Sequence, residues 1–211
     1  MRPKRLRVDD REAGYTLTEL IVAMGIFVVV VVVFVSATVT MYKDLRKQTG
    51  ITDAADQGRK VFSLLDKQVR YADAINTPGA DASGRNWFVE YRVATVNQTT
   101  GTTSETCTQW KFDTTAKTLG YRTWVSTGAT VSPVPGWKVM AIGVANNVAT
   151  QQPFTYTAPS ASLGFQQLGL DVMIARNKPA GKLETKSTFV ALNTSTRTPS
   201  TLPVCTEVAR S

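Results

Sequence analysis

Glu19 stands directly before 23 uncharged residues, Leu20 to Tyr42, and five places after Gly14. Two pieces of chemistry fit that spacing. The peptide bond between Gly14 and Tyr15 follows a small residue at the end of a charged leader, where a peptidase can cut it. Cleavage there would leave Tyr15 with a new amine, and the carboxylate of Glu19 is a partner for an ammonium. A carboxylate at the centre of a bilayer helix costs about 2.5 to 3.5 kcal/mol on insertion scales, so it needs a partner or a route to the interface. Within one rigid helix the amine of Tyr15 lies at the same end and cannot easily fold back onto Glu19. A neighbouring copy, shifted along an axis, can bring its own amine there, where low dielectric strengthens the attraction. The positive end of the helix dipole also favours an acid in the first turn. The plain alternative is an interfacial carboxylate that merely tolerates its place, and Glu19 by itself favours neither.

The elements that must position these groups are a leader and an apolar rod. The leader, 1–14, carries Arg2, Lys4, Arg5, Arg7 and Arg11 against Asp9, Asp10 and Glu12 and has no apolar run of its own. An ordinary secretory signal is cut after its apolar segment, which is then lost. Here the small residue precedes that segment, so a cut after Gly14 removes only the charged tag. The run that remains includes Ile26 to Val35, with six consecutive valines at 28–33, and about 20 such residues at roughly 1.5 Å each cross the hydrocarbon core. β-branched valine is a mediocre helix former in water, but lipid offers the backbone no other partner, so the segment is expected to be helical. Lys43, Arg46 and Lys47 follow the span while five basic residues precede it; the N-terminus is taken as cytoplasmic.

Taken as a package, Gly14-Tyr15-Thr16-Leu17-Thr18-Glu19 with its basic leader and apolar helix resembles the type IV prepilin signature. The resemblance covers roughly residues 1 to 45. It implies that a prepilin peptidase cuts between Gly14 and Tyr15 and methylates the amine of Tyr15, and that Glu19 guides assembly of a helical filament. Tyr15 stands where the family usually has Phe, and Thr18 where it often has Leu or Ile. Implied partners are the peptidase, other pilins or pseudopilins, the assembly platform and the membrane.

Loss of the leader leaves 197 of 211 residues and takes away five basic and three acidic side chains, so the formal charge falls from +8 to +6. One anchor helix and one soluble domain fit that length. Cys107 and Cys205 both fall in the soluble part, which this topology places outside the membrane, where disulfides persist. They are expected to pair, closing a loop of nearly 100 residues and adding roughly 4 to 5 kcal/mol in the chain-entropy model. Two free buried thiols are the alternative.

Beyond the span, Ile51, Ala55, Gly58, Phe62, Leu65, Val69 and Ala72 recur at spacings of three and four, which reads as the apolar face of an amphipathic half-helix at 43–76. Asn76-Thr77-Pro78-Gly79 is the stop signal. Tyr15 to Ile75 as one helix would reach about 90 Å, with Gly50 and Gly58 as places to bend or break. The remaining 77–211 reads as strands: Asn86 to Asn97, half-buried by its alternation; a hairpin of Thr106 to Asp113 and Leu119 to Ser126 around 114–117, with Trp110 and Phe112 facing Leu119, Tyr121 or Trp124; then Trp137 to Ala145, Phe165 to Arg176 and Leu183 to Asn193, the last two joined through 177–181. Thr95 to Thr106 and Thr194 to Leu202 read as surface loops. The expected fold is α+β: a long N-terminal hydrophobic helix, the spine, packed on a largely antiparallel β-sheet head with one disulfide. The helix ending Asp66-Lys67-Gln68-Val69-Arg70-Tyr71-Ala72 followed by hairpins and the late strand Phe189-Val190-Ala191-Leu192-Asn193 resembles the larger minor pilins and J-type minor pseudopilins, low-copy subunits that prime or cap a filament.

Enzyme chemistry finds little support. The chain has no histidine, which excludes His-based acid/base pairs, His-metal sites and Ser-His triads. No phosphate loop, paired-carboxylate motif or CxxC is present. The chain therefore reads as a non-enzyme with no cofactor and no metal. Asp171 and Glu184 could flank a calcium site, although two acids without an Asp-rich loop are more often surface charges. Asn97-Gln98-Thr99 and Asn193-Thr194-Ser195 match the glycosylation sequon as easily by chance. Two other functions stay open beside filament assembly. One is a DNA-binding subunit of an uptake filament, favoured by the basic head with Lys43, Arg46 and Lys47 and recognisable by steep salt dependence. The other is a single-pass membrane-anchored binding protein, for which Glu19 would be incidental.

Overall fold

The computed structural model describes residues 14–160, 162–175, 182–194 and 203–210. The leader up to residue 13, the 177–181 connection and nearly all of the Thr194 to Leu202 loop read from the sequence fall outside the described residues. Two compact units divide between Leu45 and Arg46, and one helix, α1 (Leu17–Val69), contributes to both. In the first unit α1 is exposed throughout and uncharged from Leu20 to Tyr42.

The second unit is built on the last part of α1 and two antiparallel sheets. Sheet one takes the order β1 (Ala74–Ile75), β3 (Asn86–Val96), β4 (Thr103–Asp113), β5 (Thr118–Ser126), β6 (Lys138–Ile142), with β2 (Gly79–Ala80) also paired to β3. Sheet two is β7 (Phe154–Thr157), β8 (Gln166–Ile174), β9 (Leu183–Ala191). The α+β expectation, with helix on antiparallel sheet, holds. Strand β4 begins three residues inside the stretch read as a loop, because Thr103 to Thr106 pair with Val93 to Val96 and continue the hairpin. Strands β1, β2 and β7 were not evident in the sequence; they have two, two and four residues, too short to display a period.

The buried face of the helix keeps Gly58, Leu65 and Val69 of the expected one and shifts by a residue at the other positions. Gly50, Ala54, Gly58, Val61, Leu65 and Val69 are buried, whereas Ile51 and Phe62 are exposed. Small residues let the helix axis approach the sheets. Gly50 and Gly58 therefore do not break α1; they are contact positions within a continuous helix. A Cβ on Gly58 would lie 2.6 Å from Thr185 Oγ1 on β9. Gly58→Val is expected to lower stability by about 1 to 3 kcal/mol through overpacking, read as a drop in thermal midpoint that Thr185→Ala partly restores. Two polar clamps fix the same surface. Tyr91 is fully buried and donates to Gln68 Oε1 at 2.5 Å while accepting from Trp110 Nε1 at 2.9 Å; burial pushes its phenol far above the ordinary range. Gln57 Oε1 accepts from the Ile142 amide at 2.7 Å.

The helix also stops at Val69, six residues short of Ile75. Its backbone is captured by the sheets before the Asn76–Gly79 signal is reached: Leu192 N donates to Arg70 O at 3.0 Å and Asp73 N to Arg92 O at 3.0 Å. Ala74 and Ile75 then pair with Arg92 and Tyr91 as β1.

Trp110 faces Tyr121, with ring centroids 5.2 Å apart, and Phe112 faces Leu119, as the hairpin reading had it. Trp124 instead pairs with Cys107 on the opposite side of the sheet. That side overturns the half-buried reading of β3, since Phe88, Val89, Glu90 and Tyr91 are all buried in succession. Val89 and Tyr91 face α1, while Phe88 and Glu90 belong to a second face, where Phe88 meets Trp137 and Glu90 is covered by Arg210. On it, Glu90, Gln109 and Arg122 stand in cross-strand register and are 2%, 0% and 4% exposed. Gln109 Nε2 donates to Glu90 Oε1 at 2.9 Å, and Arg122 Nε donates to Gln109 Oε1 at 2.8 Å. Arg210 closes the set, giving 3.0 and 2.7 Å bonds to the two oxygens of Glu90. Burial pulls the Arg122 guanidinium below its usual range, and Glu90 works against that shift. Cys107 and Cys205 form the expected disulfide at the edge of this face, with Cα atoms 5.6 Å apart.

The turn leading into β3 carries its own pH signature. Asp81 accepts from Ser83 Oγ at 2.7 Å, Asn86 Nδ2 at 2.6 Å and the Arg85 amide at 3.2 Å. The Ser83 hydroxyl, with these other donors, holds its carboxyl down at about 2. Because the folded value lies below the ordinary one of about 3.9, the turn's contribution is complete above pH 4 and is lost as pH falls through about 2. The Arg85 amide resonance is expected to titrate near the lower value; a midpoint near 4 contradicts this.

Candidate functional site

The amino end of α1 gathers the residues the sequence singles out. Gly14 and Tyr15 precede the helix and are exposed, Tyr15 at 89%. A Cβ added to Gly14 meets nothing within 4 Å. Nothing among the described residues therefore requires glycine at position 14.

Thr16 and Glu19 cap the helix reciprocally. Glu19 N donates to Thr16 Oγ1 at 3.3 Å, and Thr16 N donates to Glu19 Oε2 at 3.0 Å. Thr16 Oγ1 adds a further 3.0 Å bond to the same carboxylate oxygen. This is the capping box, in which a Thr and a Glu three residues on satisfy two amides that the first helical turn leaves without partners. Its T-x-x-E pattern before an apolar run was legible in the sequence and adds a second role to Glu19 beyond pairing with an amine. One oxygen, Oε2, takes both bonds; Oε1 has no partner among the described residues.

Below the cap, a shallow apolar groove is lined by Tyr15, Glu19, Leu20, Ala23, Met24 and Phe27. Glu19 is its one charged side chain. From Leu17 onward α1 is long and apolar enough to cross a membrane, and its apolar window is not buried against other described residues. The hydroxyls of Ser36, Thr38 and Thr40 donate to carbonyls four residues back at 2.7, 2.8 and 3.0 Å. Their polarity is thus absorbed within the helix.

The remaining candidates are dispersed. Lys43, Arg46 and Lys47 lie on α1 after the apolar stretch. Asp171 and Glu184 project from the same side of sheet two, but Lys186, directly opposite Asp171, approaches it to 3.6 Å, and Gln151 Nε2 donates to it at 2.6 Å. Those contacts engage both oxygens of Asp171. Asn97 uses its carbonyl to hold its own turn, accepting from Thr99 N at 2.9 Å. Asn193 donates to Tyr71 O at 2.9 Å, and the rest of its sequon extends to Ser195, outside the described residues. What sequence reasoning missed is the Glu90–Gln109–Arg122–Arg210 set, which only strand register and the return of the C-terminal segment bring together.

Residues 9–35 match the family model of the prokaryotic N-terminal methylation motif. No curated protein and no solved structure matches the chain. Proteins carrying that motif are typically structural, are handled by a prepilin peptidase and associate with pilus components. Over this N-terminal segment, residues 9–35, the chain is similar to type IV prepilin-like proteins.

Proposed function

We propose that this chain is a minor subunit of a type IV pilus or of a related secretion filament, most like a minor pilin or J-type minor pseudopilin. One observation carries the reading. Among the described residues, none covers an apolar helix long enough to span a membrane, and none pairs with one oxygen of the carboxylate in its first turn.

In this reading the leader 1–14 is removed by cleavage between Gly14 and Tyr15, and the amine of Tyr15 is methylated. Residues 15–42 hold the subunit in the membrane and afterwards in the filament core, with the 77–211 head on the extracytoplasmic side. The 43–76 segment joins the two, as helix as far as Val69. Glu19 keeps its cap through Oε2 and offers Oε1 to the amine of a neighbouring subunit. Apolar helices packed side by side remove the surface that lipid had covered, and the ion pair sets their axial register. A charge pair out of water is costly unless it is well matched, so it discriminates against wrong registers. The disulfide fits a head folded outside the reducing cytoplasm.

The test is fractionation of cells that hold a complete set of filament proteins. The chain is expected in sheared filaments, at low copy relative to the bulk subunit. Retention in the membrane of filament-bearing cells defeats the reading, and abundance equal to the bulk subunit defeats its minor part.

A further inference from the structure

We infer that the C-terminal segment 203–210 docks onto sheet one before Cys205 is oxidised, with Arg210 and Asn76 as the positioning residues that deliver its thiol to Cys107. Apart from a 3.6 Å approach of Cys205 Sγ to Tyr91 O, the polar contacts that hold the segment involve no sulfur. Asn76 exchanges two bonds with Val204, the residue before the cysteine: Val204 N to Asn76 Oδ1 at 2.9 Å and Asn76 Nδ2 to Val204 O at 2.6 Å. At the other end Arg210 bridges both oxygens of Glu90 and donates to Thr77 O at 2.9 Å. Arg122 Nη2 reaches the adjoining Ala209 carbonyl at 2.9 Å. Between these anchors, Val204 and Val208 bury against Ala74 and Trp124.

Cys205 itself has φ of 59°, in the left-handed region that side chains other than glycine and asparagine disfavour. Its own backbone preference therefore does not place it. The flanking anchors must, because the loop between the two cysteines spans 98 residues and chance encounter of the thiols is entropically unfavourable. A docked tail converts that encounter into a local one, raising the effective concentration of one thiol at the other. Oxidation then joins the two sulfurs. Each thiol gives up a proton, the pair gives up two electrons, and a disulfide-bearing oxidant is reduced to two thiols.

The test uses the full-length protein in detergent micelles. In a Cys107→Ser background no bridge can form, and the rate at which iodoacetamide alkylates Cys205 reports whether the tail is docked. That rate is expected to rise at least about tenfold on adding Arg210→Ala, the equivalent of about 1.4 kcal/mol of docking. In the otherwise unaltered protein, reduced and then given oxidised glutathione, Arg210→Ala should slow recovery of the Cys107–Cys205 bridge by a similar factor. Near-UV circular dichroism establishes that sheet one is intact. Where Arg210→Ala removes that signal, the comparison rests on Arg210→Lys, which keeps the charge but not the two-oxygen bridge and should fall between parent and urea-unfolded rates. The inference is overturned if Cys205 in the Cys107→Ser protein reacts as fast as in urea. Equal rates with and without Arg210, or with Lys in its place, overturn it too.

Discussion

Glu19→Ala and Glu19→Gln are both expected to insert into the membrane at normal levels and to lose at least about nine-tenths of their incorporation into filaments. Insertion depends on the 23 uncharged residues that follow, and removal of a carboxylate eases it, since an acid at the bilayer centre costs about 2.5 to 3.5 kcal/mol. The two variants separate the cap that the structure shows from the proposed pairing with an amine. Alanine removes the charge together with the two bonds that Thr16 gives the carboxylate, and leaves the Glu19 amide on Thr16 Oγ1. Glutamine can complete a capping box as glutamate does, yet it offers an amine no charge. If attraction between the acid and a neighbouring amine drives assembly, glutamine fails almost as badly as alanine. Normal filaments from Glu19→Gln with failure of Glu19→Ala would assign Glu19 to capping alone. Normal filaments from both would make it incidental, as in an ordinary membrane-anchored binding protein. The comparison is read by immunoblot of sheared and membrane fractions.

Glu90→Ala is expected to destabilise the second unit by about 3 to 5 kcal/mol, the range for removing one partner of a buried, hydrogen-bonded ion pair. Glu90 is 2% exposed and receives bonds from Gln109 and Arg210, so its loss leaves the Arg122 and Arg210 guanidiniums in a largely buried face without a carboxylate. Ordinary domains have a total stability of about 5 to 15 kcal/mol, so this is a large fraction of the whole. Glu90→Gln keeps the shape and an acceptor for Gln109 and should cost less. The measurement is urea unfolding with the Cys107–Cys205 disulfide intact, monitored by tryptophan fluorescence. A midpoint unchanged in Glu90→Ala would show that solvent reaches and screens this face. Arg92, which meets Asp73 at 2.6 Å and Glu105 at 3.2 Å on the sheet margin, is the internal comparison. It lies nearer solvent, so Arg92→Ala should cost less than Glu90→Ala.

The readable parts of this chain were those whose information is local. The apolar rod, the Gly14–Tyr15–Glu19 spacing and the main hairpin all follow from residue types within a few positions of each other. Trp110 opposite Tyr121 came from alternation and a turn at 114–117. The helix face is right at Gly58, Leu65, Val69 and Ala72 and off by one residue elsewhere: Ile51 and Phe62 are exposed, and Gly50, Ala54 and Val61 beside them are buried. The end at Val69 was misread because local stop signals compete with distant partners, here Arg92 and Leu192, that a sequence does not place beside residues 70–73. Glu90 looked like the solvent side of an alternating strand. What buries it is a segment 120 residues later, and alternation is silent about a second cover.

The most direct measurement is the intact mass and amino-terminal sequence of the protein recovered from membranes of a host carrying its own prepilin peptidase. The account predicts a chain that begins at Tyr15, lacks the first 14 residues, keeps the apolar helix and carries a methyl group on its terminal amine. A membrane-bound protein that still bears Met1 to Gly14, or one cut beyond Tyr42 so that the helix is gone, would contradict it.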